Sequence, residues 1–179
     1  MIKLIAFTTL LAVTAIPAIS FAQSATDPVN RIMDIAKARW QTSEGPAPDY
    51  FDGLDEDFSK AFAATYREAA KYPAYEEGDS PFDYDVITSS QDGCPLEDIK
   101  VSPDGEKDGV TVVAVSFKLW ACAPDAESKA RINEIRFDVV TENGKPLISD
   151  VHRLFEGNWD TLVGEMKQNI ELGQKNAQQ

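Results

Sequence analysis

The chain has 179 residues and is strongly acidic, with 30 Asp and Glu against 17 Lys and Arg and a formal net charge of −13. Binding to nucleic acid or anionic lipid depends on Lys and Arg displacing counterions from phosphates, so this charge excludes both as partners. The ordinary consequence of such a charge is solubility, and it is also compatible with cationic partners.

The N-terminus has the order of a secretory signal peptide. Lys3 precedes an apolar run from Leu4 to Ile16, and Ser20-Phe21-Ala22 supplies the small residues of a cleavage site. The apolar run is shorter than the roughly 20 residues that a membrane-spanning helix needs. We therefore predict a signal peptide over residues 1–22 and a single domain over residues 23–179. The product is expected to be a periplasmic or secreted bacterial protein, with no membrane insertion after cleavage.

Two helices are predicted before any strand. Thr26-Asp27-Pro28 offers a cap and a proline suited to the first helical position, and apolar residues follow at three-to-four spacing, which predicts a helix from Pro28 to Trp40. A second helix is expected to end before Tyr72-Pro73, because a proline disfavours helical geometry in the residue before it. The apolar stripe of this second helix consists of Leu54, Phe58, Ala61, Phe62, Tyr66 and Ala69.

The pattern changes to strands after Pro81. Residues 109–120 and 130–141 alternate between two faces, which predicts two long strands. Asn143-Gly144 follows, and because both residues tolerate positive φ, a tight antiparallel hairpin to a strand over residues 147–152 is predicted. The residues expected to share an apolar face are Val113, Val115, Phe117 and Leu119 in the first strand and Ile135, Phe137 and Val139 in the second.

A closing helix is predicted next, with Asn158 as its cap. Its apolar face is expected to carry Trp159, Leu162, Val163, Met166 and Ile170. The sum is an α+β domain in which N-terminal helices and a C-terminal helix pack on a curved antiparallel sheet of about four strands.

This element order resembles the nuclear-transport-factor-like superfamily of cone-shaped domains, also called cystatin-like or SnoaL-like. The stretch DVITSSQD, residues 85–92, is similar to the D-P-x-x-x-A-Q-D signature of a secreted bacterial branch of unknown function. The stretch PLISDV, residues 146–151, is similar to that branch's W-x-I-x-D-I terminal strand, although Val86 replaces the proline and Pro146 the tryptophan. The positions that match the two signatures are Asp85, Gln91, Asp92, Ile148 and Asp150.

The resemblance implies a pocket between the sheet and the helices, which some members use for catalysis and many for binding alone. It also implies an exposed sheet face, which often forms a homodimer in this superfamily. Fold by itself does not decide function, so the candidate residues are weighed separately.

Cys94 and Cys122 are the only cysteines in the chain. An even count in an exported protein favours a disulfide over a metal site or a nucleophile. The bond would tie the loop before Pro95 to the end of the long strand.

The stretch from Asp85 to Cys94 combines acids, an amide, hydroxyls and a thiol. Its oxygen donors suit a cation or a polar ligand, but their order lacks the spacing of a calcium loop. Asp and Ser also hydrogen-bond their own backbone in turns, which favours a structural loop over residues 89–92. Residues 85–87 are expected to enter the sheet or the helix before it. The candidate binding residues are Asp85, Gln91, Asp92 and Asp150.

His152 is the only histidine, so no histidine-based metal cluster is available and neither a metal nor a cofactor is expected. It shares strand parity with Asp150, and the two could act as a general base and its orienting acid. The competing interpretation, which we favour because no nucleophile accompanies the pair, is a strand-end histidine beside a structural acceptor. Glycine-rich phosphate loops, G-x-S-x-G and H-E-x-x-H are all absent from the sequence.

Two functions from different classes follow. The favoured hypothesis is a non-enzymatic exported protein that binds a small ligand or a protein partner, with an inhibitor or immunity protein as a specific version. The alternative is a small pocket enzyme of lyase or isomerase type that uses Asp150 and His152. An enclosed pocket around one of these acids would favour the enzyme, whereas an interior filled by side chains would favour the binding protein.

Overall fold

The structure is a computed structural model that describes residues 24–41, 47–75, 78–155 and 157–178. The predicted signal peptide lies outside the described residues. Five strands form one sheet in the order β1-β2-β3-β4-β5, and every neighbouring pair is antiparallel. In chain order the elements are α1 (Thr26–Gln41), α2 (Leu54–Asp57), α3 (Lys60–Ala69), β1 (Glu97–Lys107), β2 (Val110–Lys118), α4 (Ala126–Ala130), β3 (Asn133–Glu142), β4 (Lys145–Phe155), β5 (Asn158–Thr161) and α5 (Leu162–Asn176).

The α+β class, the first helix and the central hairpin are confirmed. Asn143 and Gly144 have φ of 52° and 79°, and the two-residue turn joins Glu142 to its partner Lys145. β2 and β3 bury the predicted alternate residues, so one face of the sheet packs on the helices. The largest fully buried side chains are Phe62, Phe117, Phe137, Ile32, Leu119, Ile135, Ile148, Leu162, Met166, Val29, Val113 and Val115.

The prediction of one long second helix was wrong, because the chain breaks between α2 and α3. Phe58 is extended, with φ −113° and ψ 151°, and forms a parallel bridge with Ile148. The Ser59 N–H donates to the Ile148 carbonyl at 2.8 Å. The Ser59 hydroxyl then accepts from Phe62 N at 3.2 Å and starts α3. The apolar stripe continues across the break, so hydrophobic spacing alone does not reveal it.

The closing helix begins later than predicted, and the sheet has five strands where about four were expected. Residues 158–161 form β5 on the edge of β4, with Leu154 opposite Trp159. Thr161 caps α5 by accepting from Gly164 N at 2.9 Å, so Asn158 is not the cap. An edge strand of four residues is too short to show a clear alternation.

Residues 85–87 enter neither the sheet nor a helix, which corrects that prediction. They belong to a loop closed by an isolated bridge between Asp85 and Ser90, in which Asp85 N donates to Ser90 O at 3.0 Å. Val86 and Ile87 are buried and anchor this loop on the core. Their apolar character therefore reflects anchoring rather than strand formation.

Candidate functional site

An open cleft of about 600 Å³ lies where the C-terminal end of α1 meets the loop of residues 80–94, which we call the cleft loop. Volumes of roughly 300 to 1,000 Å³ are typical of small-molecule sites. Two of the predicted binding residues, Asp85 and Gln91, line it. The cleft is lined by Arg39, Trp40, Ala47, Tyr75, Ser80, Phe82, Asp83, Tyr84, Asp85, Ser90 and Gln91.

Asp85 is the polar centre of the cleft loop. Its Oδ1 accepts from the backbone N–H groups of Ile87 at 3.1 Å and Thr88 at 2.9 Å, and from the Thr88 hydroxyl at 3.1 Å. Its Oδ2 accepts from the Tyr50 hydroxyl at 2.7 Å and from Arg39 Nε at 3.3 Å. Both oxygens are thus used by the protein itself, and Asp85 shapes the cleft wall.

Arg39 joins this carboxylate to α1. Its Nη1 donates to the Pro48 carbonyl at 2.5 Å, and its guanidinium lies 4.8 Å from the centre of the Tyr50 ring. Burial raises the pKa of Tyr50, and the charge of Asp85 and the hydrogen bond to it raise that pKa further. Tyr50 therefore stays a neutral donor to Asp85.

The predicted turn at residues 89–92 is present. Ser89 has φ of 54°, and the Ser90 hydroxyl donates to Asp92 O at 2.7 Å. The Gln91 amide donates through Nε2 to Asp83 O at 3.0 Å, so Gln91 folds back over the loop. Asp92 is exposed and does not line the cleft.

The Cys94–Cys122 disulfide is confirmed, with a Cα–Cα distance of 5.8 Å. Beside it, Cys94 N donates to Leu119 O at 2.8 Å, so the cleft loop is fastened both covalently and by the backbone. A Cβ on Gly93 would lie 2.5 Å from Leu119 Cδ1 and 2.9 Å from Trp40 Cζ3. Gly93 is therefore required for the loop to approach the cleft residue Trp40, a role that its sequence position alone does not signal.

A second polar cluster, which sequence reasoning missed, adjoins the cleft through Tyr84. Arg153 has a side chain only 4% exposed, and its Nη2 donates to Asp160 Oδ2 at 2.9 Å and to Glu165 Oε2 at 2.7 Å. Its Nη1 donates to the Tyr84 hydroxyl, and that hydroxyl in turn donates to Glu165 Oε2. The alternation of β4 could have revealed this residue. Arg153 is two residues beyond the buried Val151, so its side chain lies on the same buried face of the strand.

The pKa shifts in this cluster follow from its geometry. Burial raises the pKa of Tyr84, and the hydrogen bond to Glu165 raises it further. Burial lowers the pKa of Arg153, but Tyr84, Glu165 and Asp160 more than offset this and raise it overall. A cavity of about 310 Å³ beside the cluster is lined by Tyr84, Ser89, Arg153, Asp160 and Glu165.

Asp150 and His152 lie away from the cleft. His152 Nε2 is 2.9 Å from Asp138 Oδ2, so Asp138 is the carboxylate that orients this histidine. Asp150 Oδ1 instead accepts from Val151 N at 2.8 Å and from Val163 N at 3.0 Å. The acid predicted to pair with His152 therefore helps to fix the start of α5.

The described residues contain no group of three or more His, Cys, Asp or Glu side chains arranged to hold a metal ion. Within the same part of the chain, no helix is both long and apolar enough to cross a membrane. No protein-family model, curated protein or solved structure matches the chain. The function must therefore be argued from the geometry of the site.

Proposed function

We propose that this chain is an exported, non-enzymatic binding protein that holds a small ligand or a segment of a protein partner in the cleft. The observation that carries the proposal is a preformed concave surface whose walls are fixed by their own contacts. Asp85 locks the cleft loop to α1, and the Cys94–Cys122 bond locks its far end to the turn that follows β2. Rigid walls reduce the entropy that binding must overcome.

The packing of the interior supports binding over catalysis. Phe62, Phe117 and Phe137, all less than 2% exposed, fill the space between sheet and helices where an enclosed active site would lie. The cleft is instead open to solvent. Its fixed polar groups suit recognition, whereas an enzyme gains from excluding water around its reacting groups.

Membership of the nuclear-transport-factor-like superfamily, in its cone-shaped cystatin-like form, remains part of the proposal. It is supported by helices that precede an antiparallel sheet and by a helix that closes it. Export is supported by the disulfide, because such bonds persist in oxidising compartments. An inhibitor or immunity protein is the version in which the cleft receives part of a protein target.

The test is site-specific photocrosslinking in periplasmic extract. A photoreactive residue replaces Gln91 at the cleft in one protein and Glu134, exposed on β3, in its matched control. We expect a discrete adduct from the Gln91 position and none from the Glu134 position. Adducts formed only from Glu134, or equally from both, would show that the cleft is not the binding surface.

A second candidate, a small pocket enzyme, is favoured by one contact. The 2.9 Å distance between His152 Nε2 and Asp138 Oδ2 is that of a general base with an orienting acid. In this version Asp138 takes the role that the sequence predicts for Asp150. Turnover of a candidate substrate that is abolished in both His152→Ala and Asp138→Asn, but kept in Asp83→Asn, would support the enzyme over the binding protein.

A further inference from the structure

We infer that the ligand of the cleft carries a protonated nitrogen with N–H groups, either an ammonium or a guanidinium, and that Asp83 receives it. This inference rests on the proposed function, because it names the chemistry of the group that the cleft binds. It is argued from the hydrogen-bonding groups that the cleft leaves free.

Most of the side-chain donors of the cleft are directed at the protein's own acceptors. Arg39 donates to Asp85 and to Pro48 O, and the Gln91 amide donates to Asp83 O. The Ser80 and Ser90 hydroxyls donate to backbone carbonyls of the same loop. The indole N–H of Trp40 has no partner among the described residues, but the atom is buried and not offered to the cleft.

The acceptors of the cleft remain available. Among the residues that the structure describes, none donates a hydrogen bond to the Asp83 carboxylate or to Gln91 Oε1. Both residues are exposed to solvent. Asp85, by contrast, has both oxygens occupied and its charge balanced by Arg39. A ligand that satisfies this set must bring donors, and a positive charge on those donors strengthens each bond.

The aromatic lining points to the same chemistry. Tyr75, a residue that is 61% exposed, lines the cleft together with Trp40 and Tyr84. An aromatic face attracts a cation through its quadrupole, by about 0.5 to 1 kcal/mol at an exposed site. Tyr75 and Asp83 together thus provide a ring face and a carboxylate for one cationic group.

The charged residues near the cleft are mostly acidic, as a cationic ligand requires. Tyr66, outside the cleft, has its pKa raised to about 12 by burial first and then by the charges of Asp49, Asp79 and Asp52. Two of these acids are close in sequence to residues that line the cleft, Asp49 to Ala47 and Asp79 to Ser80. Arg39 is the one positive side chain among the described residues that line the cleft, and Asp85 already neutralises it.

The decisive experiment measures the binding of defined cations to residues 23–179 by calorimetry. The probes are spermidine and a short peptide that contains lysine and arginine. The controls are the same peptide with norleucine and citrulline, and spermidine whose three nitrogens are quaternised by methylation, which keeps the three charges but has no N–H. We expect spermidine or the basic peptide to bind at least tenfold more tightly than its control. Tighter binding of spermidine identifies a free amine as the source, and tighter binding of the peptide identifies a protein segment.

Two variants locate the site. Asp83→Asn keeps the side-chain shape and should weaken the better probe about tenfold or more. Asp34→Asn removes the same charge from an exposed position on α1 outside the cleft and should leave the affinity unchanged within twofold. Equal weakening by both variants would mean an effect of net charge alone and would overturn the inference, as would equal affinity for spermidine and its quaternised form.

Failure of this inference can be told apart from failure of the proposed function. If Gln91 crosslinks a partner but neither cation competes with the adduct, the cleft binds a different chemistry and the inference is wrong. If no adduct forms at Gln91 and no cation binds, both proposals fail.

Discussion

Two arginine clusters flank the cleft, and they differ in which of the paired ions is buried. In the α1 cluster, Arg39, Tyr50 and Asp85, the arginine side chain is 28% exposed and the carboxylate 9%. In the α5 cluster, Arg153, Tyr84, Asp160 and Glu165, the arginine is 4% exposed and Asp160 is 53% exposed. The buried ion is therefore the carboxylate in one cluster and the guanidinium in the other. Each buried ion is surrounded by partners, because an unpaired charge is costly away from water.

The largest expected effect comes from removing the buried guanidinium. Arg153→Leu takes away the guanidinium that Asp160, Glu165 and the Tyr84 hydroxyl share, so the free energy of unfolding should fall by about 3 to 5 kcal/mol. The measurement is chemical denaturation. Arg67→Leu, which breaks an exposed pair with Asp55, should cost far less, because water replaces the lost partner. Equal costs for the two variants would show that burial does not distinguish them.

The disulfide fastens the cleft loop, which supplies Asp85 to the α1 cluster and Tyr84 to the α5 cluster. Replacing Cys94 and Cys122 by serine should lower the free energy of unfolding by about 3 to 4 kcal/mol, from the loop entropy of a bond spanning 28 residues. Reduction of the wild-type protein should produce the same loss. A loss below about 1 kcal/mol in both experiments would mean that Asp85 and the backbone contacts hold the cleft loop without the bond.

Asp85→Ala tests the buried carboxylate. It leaves the N–H groups of Ile87 and Thr88 and the Tyr50 hydroxyl without an acceptor, so we expect a loss of about 2 to 3 kcal/mol. Arg39→Met should cost less, because Asp85 keeps the N–H groups of Ile87 and Thr88 and the Tyr50 hydroxyl as donors. In the α5 cluster the order reverses, and Asp160→Ala should cost less than Arg153→Leu. The same order of cost in both clusters would refute the comparison.

The smallest expected effect is at alkaline pH. The pKa of Tyr66 is raised from 10.0 to about 12, so the folded protein keeps a proton that the unfolded chain has lost. The corresponding stability is complete below pH 10 and is lost as pH rises through about 12. Tyr50 and Tyr84 shift in the same direction. Denaturation midpoints should fall over this range, and less steeply in Tyr66→Phe; an unchanged slope in that variant would assign the effect to the other tyrosines.

The elements with a strong local signal were predictable. The alternation of β2 and β3, the Asn143-Gly144 turn and the cysteine pair each carry their cause in neighbouring residues, and the structure has them as expected. The break at Ser59 was not, because it depends on a backbone partner, Ile148 in β4, that is distant in sequence. β5 was not either, because four residues are too few to show a clear alternation.

The candidate site was predictable only in outline. Asp85 and Gln91 were identified as binding residues, and both line the cleft. The sequence could not show that the carboxylate of Asp85 is already fully hydrogen-bonded within the protein. Two of its donors, Arg39 and Tyr50, are 46 and 35 positions away. Asp83, whose carboxylate remains available, carries no local signal that separates it from the many other acids of the chain.

Tyr84 links the cleft to α5, so the state of α5 can report whether the cleft is occupied. One surface of this residue lines the cleft, while its hydroxyl donates to Glu165 on α5. A ligand that presses on the Tyr84 ring therefore acts on the contact that joins the cleft loop to the last helix. Deuterium uptake by the amides of α5 should slow when the cleft is filled, although no residue of that helix lines the cleft. Occupancy of a site whose ligand is still to be identified can thus be followed from the C-terminal end of the domain.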